Sequence, residues 1–512
     1  MKRDKFAGRY LIKISSSIFI VLLNVIVNFI LPRSFSVEDY GFYTFNLNVF
    51  NNIVGIANLS TSNALSAKYS KRNNEIGIIK FYLFYFSLMA VVLSVGLMVL
   101  YPFAFIRNSL GGQTLFVVLL GLEAAILNKL LTDTITIYDS IAVSRFPALL
   151  QIILKICMAL FVVCTFLLGY LNIFVYYIGQ SIIFFVIIFV LINSFFKDYR
   201  SNYTEYKDLG FRKYFREFYE YCKPLVLIGI VSQVLNIFMD VTLLQNSGAK
   251  VRAMYGAATQ LNMIILYVFS PYAELSKREF AIKANDTEKL KSHLILSLKI
   301  VMWLTSYFAI FVAIFADRIV LFVFGENYLT AIPVVIIMMI YTIFQSWGQI
   351  LSSFLLSTEQ TRVSALFSAV SQIFMLLGFL IFIKPNFIWN NGLGAEGMAL
   401  ARAVANFAYV VIMAGWIARN IGYSAIRING IHLSAIIIMG GIALFSHFIT
   451  KLVDIFIVNL NNLFYIFVGG GFYTILTVSL IYHFPILIGI SKVQIISIIA
   501  SIKYKVFRDA KR

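Results

Sequence analysis

The chain has 512 residues, 60% of them hydrophobic, 16% aromatic and 13% charged, against roughly 25% charged in soluble domains. That composition excludes a soluble globular protein and implies an all-α polytopic membrane protein. The formal net charge of +19 does not point to nucleic acid, because the basic residues lie in short clusters between apolar runs, as in cytoplasmic membrane loops.

From the N-terminus, Lys2, Arg3, Lys5 and Arg9 precede the first apolar run with no small-residue cleavage site after it, which predicts a retained span. Fourteen runs are long enough to cross about 30 Å of hydrocarbon at about 1.5 Å per residue. They fall near 10–31, 40–67, 81–100, 114–142, 147–167, 173–196, 224–245, 253–272, 300–315, 331–356, 363–383, 395–418, 431–449 and 463–483. All should be helical, since backbone groups in lipid find no water to bond and the runs are too long and continuous for barrel strands. Cys157, Cys164 and Cys222 form no CxxC or metal spacing and read as packing residues.

With both termini placed in the cytoplasm, 30 of the 42 Lys and Arg residues lie in inside segments, 7 in outside turns (Arg252 among them) and 5 within spans. A missed span would invert every later loop, so the separation supports an even span number and this orientation. Two inside loops are long: 207–222, with Phe211, Tyr214, Phe215 and Phe218 at helical spacing among Arg212, Lys213 and Arg216, and 273–291. Both are expected to be amphipathic helices on the membrane surface, and the basic tail 484–512 has a similar pattern.

The segment 224–261 echoes the start of the chain. Tyr40-Gly41 and Tyr255-Gly256 each open a polar-spotted helix, and Thr44 and Thr259 follow at the same distance. Such an echo is the mark of internal duplication in transporters, so helices one to six are expected to superpose on seven to twelve.

No GxSxG, P-loop, HExxH or paired-acid motif is present, and His293, His432, His447 and His483 are scattered. Neither an enzyme active site nor a metal or cofactor site is expected. What remains is a set of polar groups inside spans, which are costly there and therefore candidate functional residues. Asp240 lies deep in an apolar run. Glu123, Lys129 and Asp133 share one helix, with Lys129 and Asp133 four apart and able either to neutralise each other or to line a path. Lys155 has no acidic residue one turn away, so its partner must come from another helix or from an anionic substrate. Asn24 and Asn28 suit interhelical hydrogen bonds or sugar contacts equally. Arg402 sits on a small-residue helix face, where its planar fork fits either phosphate or a carboxylate such as Asp240. Lys155, Arg402 and Asp240, in three different runs with no evident partner within their own helices, are expected to face one water-filled central cavity, which meets the cost of all three charges at once.

Four stretches together resemble the Wzx-type flippases of O-antigen and polysaccharide biosynthesis, in the multidrug/oligosaccharidyl-lipid/polysaccharide exporter superfamily. They are LPRSFSVEDYGFYTF from Leu31, the segment from Asp240 to Tyr255-Gly256, LFVFGENYLTAIPVVIIMMI from Leu321, and GLGAEGMALARAVA from Gly392. Where that family often has Asp followed by Arg in helix seven, this chain has Asp240-Val241, so an arginine contact does not carry over.

The resemblance implies two pseudo-symmetric six-helix lobes, 1–196 and 224–418, joined by the linker 207–222 within 197–223, with two additional helices in 419–483. It implies alternating access that moves an undecaprenyl-pyrophosphate-linked oligosaccharide across the inner (plasma) membrane, from the cytoplasmic to the periplasmic leaflet. By the same resemblance, H+ or Na+ would drive transport and the partners would include membrane lipids, a polymerase and a chain-length regulator. Lys155, Arg402, Lys129, Asn24 and Asn28 would then meet substrate, while Asp240, Asp133 and Glu123 would serve as coupling groups or counter-charges. The competing readings are a multidrug/cation antiporter, which would lean on cavity carboxylates, and a polysaccharide polymerase, which usually needs a large periplasmic loop.

Overall fold

The computed structural model describes residues 6–484 apart from 73–74, 142, 144, 203–209, 284–285, 359, 384–391 and 458–460. The expected tail after Phe484 and the first residues of the long inside loop, 207–209, lie outside the described residues.

Among the described residues the chain is built from helices alone. They are α1 (Phe6–Ser34), α2 (Val37–Asn58), α3 (Thr61–Lys71), α4 (Ile76–Leu100), α5 (Ala104–Ser109), α6 (Leu115–Ser140), α7 (Arg145–Leu167), α8 (Ile173–Asn202), α9 (Phe211–Lys283), α10 (Thr287–Ile314), α11 (Ala316–Val323), a 3-10 turn (Glu326–Ala331), α12 (Ile332–Ser357), α13 (Thr361–Phe382), α14 (Gly394–Asn420), α15 (Ala425–Ile457) and α16 (Asn462–His483). Eleven helices among the described residues are long and apolar enough to cross a bilayer. The other three expected runs fall on α2 with α3 and on the two segments of α9. The protein is thus a multi-pass, all-α membrane protein.

Two boundaries differ from the sequence expectation for local reasons. The run 40–67 breaks after Asn58, because Leu59 and Ser60 both take left-handed backbone angles (φ 49 and 61) and redirect the chain into α3. The segments 224–245 and 253–272 have no loop between them. They meet at Gly248, whose φ of 80 and ψ of 172 interrupt α9 in a region that only glycine enters without strain. Helix therefore resumes at Ala249, and Arg252, counted above with the outside turns, is fully buried instead.

The chain forms two compact units, Met1–Gln260 with Phe379–Met398, and Leu261–Gly378 with Ala399–Arg512. In the first, α1 packs along α7, and α6 packs against α2, α3, α4 and α8. α2 also meets the second segment of α9 at close range: a Cβ on Gly41 would collide with the Ala249 carbonyl, and one on Gly256 with the Thr44 side chain. Thr44 donates to the Gly41 carbonyl at 3.1 Å and Thr259 to that of Gly256 at 2.7 Å. In the second unit α10 packs against α12 and α15, while α16 lies against α11 and α15.

Both of the long loops expected inside are drawn into the chain's long helices and do not form separate ones. The segment 211–223 is continuous with the rest of α9 and docks through Tyr214, Phe218 and Cys222, all buried. Phe81 of α4 meets Phe211 and Phe218 at ring distances of 4.9 and 5.0 Å. Phe211, Phe215 and Tyr219, one turn apart in succession, remain exposed. The loop 273–291 is shared between the end of α9 at Lys283 and the start of α10, where Asp286 caps the helix by accepting from the Lys289 N–H at 3.1 Å.

Candidate functional site

Among the described residues, two fully buried charges form one ion pair. Asp240 lies before the interruption at Gly248 and Arg252 one turn after it, and a guanidinium nitrogen of Arg252 stands 3.2 Å from Asp240 Oδ1, with side chains 0% and 1% exposed. Arg252 also donates to the Thr44 carbonyl at 3.1 Å and Oγ1 at 3.4 Å, and lies over the Tyr255 ring at 5.3 Å. The pair thus bridges the two segments of α9 and ties both to α2. The counter-charge of Asp240 is Arg252, which lies in the helix after Gly248 and not in the turn expected there.

Lys129 and Asp133 do pair, at 3.0 Å. Lys129 also donates to Ser62 Oγ at 2.8 Å, and the Tyr82 hydroxyl donates to the other carboxylate oxygen of Asp133. Asn58 donates to the Tyr82 hydroxyl at 3.3 Å, completing a network among α2, α3, α4 and α6. Asp133 is enclosed, whereas the Lys129 side chain retains 26% exposure.

Lys155 behaves differently. It sits mid-way along α7, half-buried, with no ion pair or hydrogen bond to any described residue. Asn24 and Asn28 are half-buried on α1, the helix that packs along α7. Glu123 is exposed on α6 although that helix is a candidate span. In the second unit Arg402 is half-buried on α14 and hydrogen-bonds the Tyr341 hydroxyl of α12. The small-residue face expected around it is real: Gly397, Ala401 and Ala405 belong to α14, and Ala401 and Ala405 are buried.

Hydropathy passed over the polar face of α2. Its apolar side, with Phe45, Val49, Phe50 and Val54, is buried, and Asn46 is spent on Gln113 at 2.8 Å. Asn51 is exposed, and Asn48 and Asn52 are half-buried. The signal was present as asparagines three and four residues apart, which share one helix face.

No family model and no curated protein matches the chain in sequence. Solved structures do match it in fold. The lipid II flippase MurJ in an inward closed conformation aligns over 93% of this chain and 99% of its own, with a TM-score of 0.67 and 18% identity. A multidrug resistance MATE family transporter of the MOP superfamily, in an inward-facing conformation, covers 81% of this chain and 98% of its own at a TM-score of 0.60 and 13% identity. A MOP superfamily transporter from Pyrococcus furiosus, described as having a binding pocket of reversed polarity, covers 82% and 99% at 0.57 and 13%. The chain has the fold of the MOP transporters. These neighbours are transporters and flippases, and such identities establish the fold alone.

Proposed function

We propose that this protein is a flippase for a polyprenyl-pyrophosphate-linked oligosaccharide, an O-antigen or related polysaccharide repeat, moving it across the plasma membrane by alternating access with both termini in the cytoplasm. The observation that carries this reading is Lys155, a cation within a membrane-spanning helix that has no ion-pair partner among the described residues. An unpaired ammonium in a span is expensive unless it faces water and meets an anion, and a diphosphate on a lipid supplies that anion. Arg402, with a guanidinium fork suited to phosphate oxygens, is the second cargo-binding cation in this reading. Asn24 and Asn28, on the helix beside α7, contact the cargo near Lys155. Lys129 lines the path through its exposed portion while Asp133 anchors it. Asp240 is left to Arg252.

Complementation of a strain lacking the transporter for its surface polysaccharide tests the reading. Lys155→Ala and Arg402→Ala should each abolish surface polysaccharide at unchanged protein level, and Arg402→Lys should restore it only in part, because a point charge replaces a bidentate fork. Full polysaccharide in both alanine variants would remove the reading. The exposed carboxylate of Glu123 favours a second reading, a cation or drug antiporter; efflux of an organic cation that is lost in Glu123→Gln would support it.

A further inference from the structure

We propose that the carboxamide face of α2, formed by Asn48, Asn51 and Asn52 with Gln233 of α9, is a glycan-reading surface that takes a neutral, hydroxyl-rich sugar head; this rests on the flippase reading above and names the part of the cargo that the first unit recognises. Positions 48, 51, 52 and 55 recur at helical spacing and share one side of α2. The opposite side is committed to packing, with Phe45, Val49, Phe50 and Val54 buried. The helix also separates its asparagines by role. Asn46 and Asn58 are buried and bonded to Gln113 and Tyr82, whereas Asn51 is exposed and Asn48 and Asn52 half-buried. Asn52 Nδ2 donates back to the Asn48 carbonyl at 2.8 Å, which fixes its rotamer and leaves its side-chain oxygen open.

Gln233 brings a further carboxamide to the same face from another segment. It lies over Gly55, one turn beyond Asn51 and Asn52, and a Cβ at that position would stand 2.9 Å from its Cδ and Nε2. The glycine makes room for the amide. Gln233 Oε1 is buried and has no hydrogen-bond partner among the described residues, so an acceptor is held ready beside the asparagines.

An exposed amide facing hydrocarbon would lose its hydrogen bonds to water without replacement, which is strongly unfavourable. A face with these groups therefore lines a wet path. Each carboxamide offers two N–H donors and an oxygen with two lone pairs, the complement of sugar hydroxyls that both donate and accept. Between Thr44 and Gly55 there is no ionisable side chain able to hold a phosphate or an organic cation. The surface accordingly reads the hydroxyl pattern of a head group, while its charge is met elsewhere.

The test uses the full-length protein in nanodiscs and two probes: undecaprenyl diphosphate alone, and undecaprenyl diphosphate carrying a neutral disaccharide. Wild-type protein should bind the sugar-bearing probe more tightly. In the double variant Asn51→Ala/Asn52→Ala that probe should weaken at least about tenfold, as loss of two or more hydrogen bonds implies, with the bare lipid bound as before. Gly55→Ala, which pushes Gln233 aside, should give the same selective loss, and Gln233→Ala carries the test alone if the double variant does not accumulate. Equal binding of both probes by wild-type protein, or variants that weaken both probes equally or neither, would overturn this inference and leave the flippase reading standing. Failure of wild-type protein to bind either probe would instead overturn the flippase reading, and this surface with it.

Discussion

At the scale of single residues, Asp240 and Lys155 contrast in pairing: Asp240 has Arg252 beside it, and Lys155 has no ion-pair partner among the described residues. Two ions buried together cost several kcal/mol each in desolvation, and their attraction returns this only while both are present. Removing one partner should then be far worse than removing both. Asp240→Ala leaves Arg252 charged inside the protein and should lower stability by about 3–5 kcal/mol, visible as poor yield and a depressed melting temperature. Replacing the pair, with Asp240→Leu and Arg252→Met, should recover most of that loss. If Asp240→Asn melted like wild type yet lost transport, Asp240 would be acting as a switch and not as one half of a staple across Gly248. Asp240 and Lys155 were both legible in the sequence as charges in apolar runs. Arg252 was not, because the polar string around Gly248 reads as a loop, and only the backbone angles of that glycine show helix resuming before the arginine.

At the scale of elements, the segment 211–223 shows how the start of a long helix is held against its neighbours. Its buried stripe of Tyr214, Phe218 and Cys222 is fastened by Glu217, to which both terminal nitrogens of Arg72 donate, with Lys68 at 3.7 Å. The hydrogen bond from Arg72 holds the Glu217 carboxyl below its ordinary range against the opposing effect of burial, with the charges of Arg72 and Lys68 adding to the lowering. A carboxylate with a depressed folded-state pKa stabilises the docked form above its free pKa, and loses that contribution as pH falls through the depressed value. Docking should therefore be constant between about pH 5 and 8 and weaken only below about pH 4. Hydrogen exchange of residues 211–222 measures this, and Glu217→Gln should show the acid-state exchange already at neutral pH. Loss of docking near pH 6 would assign it to another group. The aromatic spacing of this segment was plain in the sequence, but which stripe faces protein was not, because Phe211, Phe215 and Tyr219 form a second stripe of equal hydrophobicity. α2 illustrates the converse: its asparagines weaken the apolar signal by which a span is found, although the same residues place its open face.

At the scale of the whole molecule, the distribution of charge makes a claim that no internal contact decides, namely which ends of the helices face the cytoplasm. Most of the runs expected from hydropathy coincide with observed helices to within a few residues, because length and continuity of apolar sequence leave a chain in lipid no alternative to helix. Arg252 is buried, yet the expected asymmetry survives without it, since the segments expected inside hold 30 basic residues of 42. Single-cysteine variants test the orientation, in a background with Cys157, Cys164 and Cys222 replaced. Arg212→Cys lies on the exposed side of the docked segment and Lys283→Cys at the end of α9, both on the expected inside face. Lys250→Cys, whose native side chain is 70% exposed and faces Glu38 at 3.6 Å, reports the opposite face. An impermeant thiol reagent applied to intact cells with a permeable outer layer should label position 250 and spare 212 and 283, with the reverse in inside-out vesicles. The positive-inside rule acts on short loops near span ends, and 211–223 and 273–283 are of that kind. Labelling of 212 or 283 from outside would invert the assignment and with it the proposed direction of transport, because the cations proposed to meet the cargo would then be approached from the wrong leaflet.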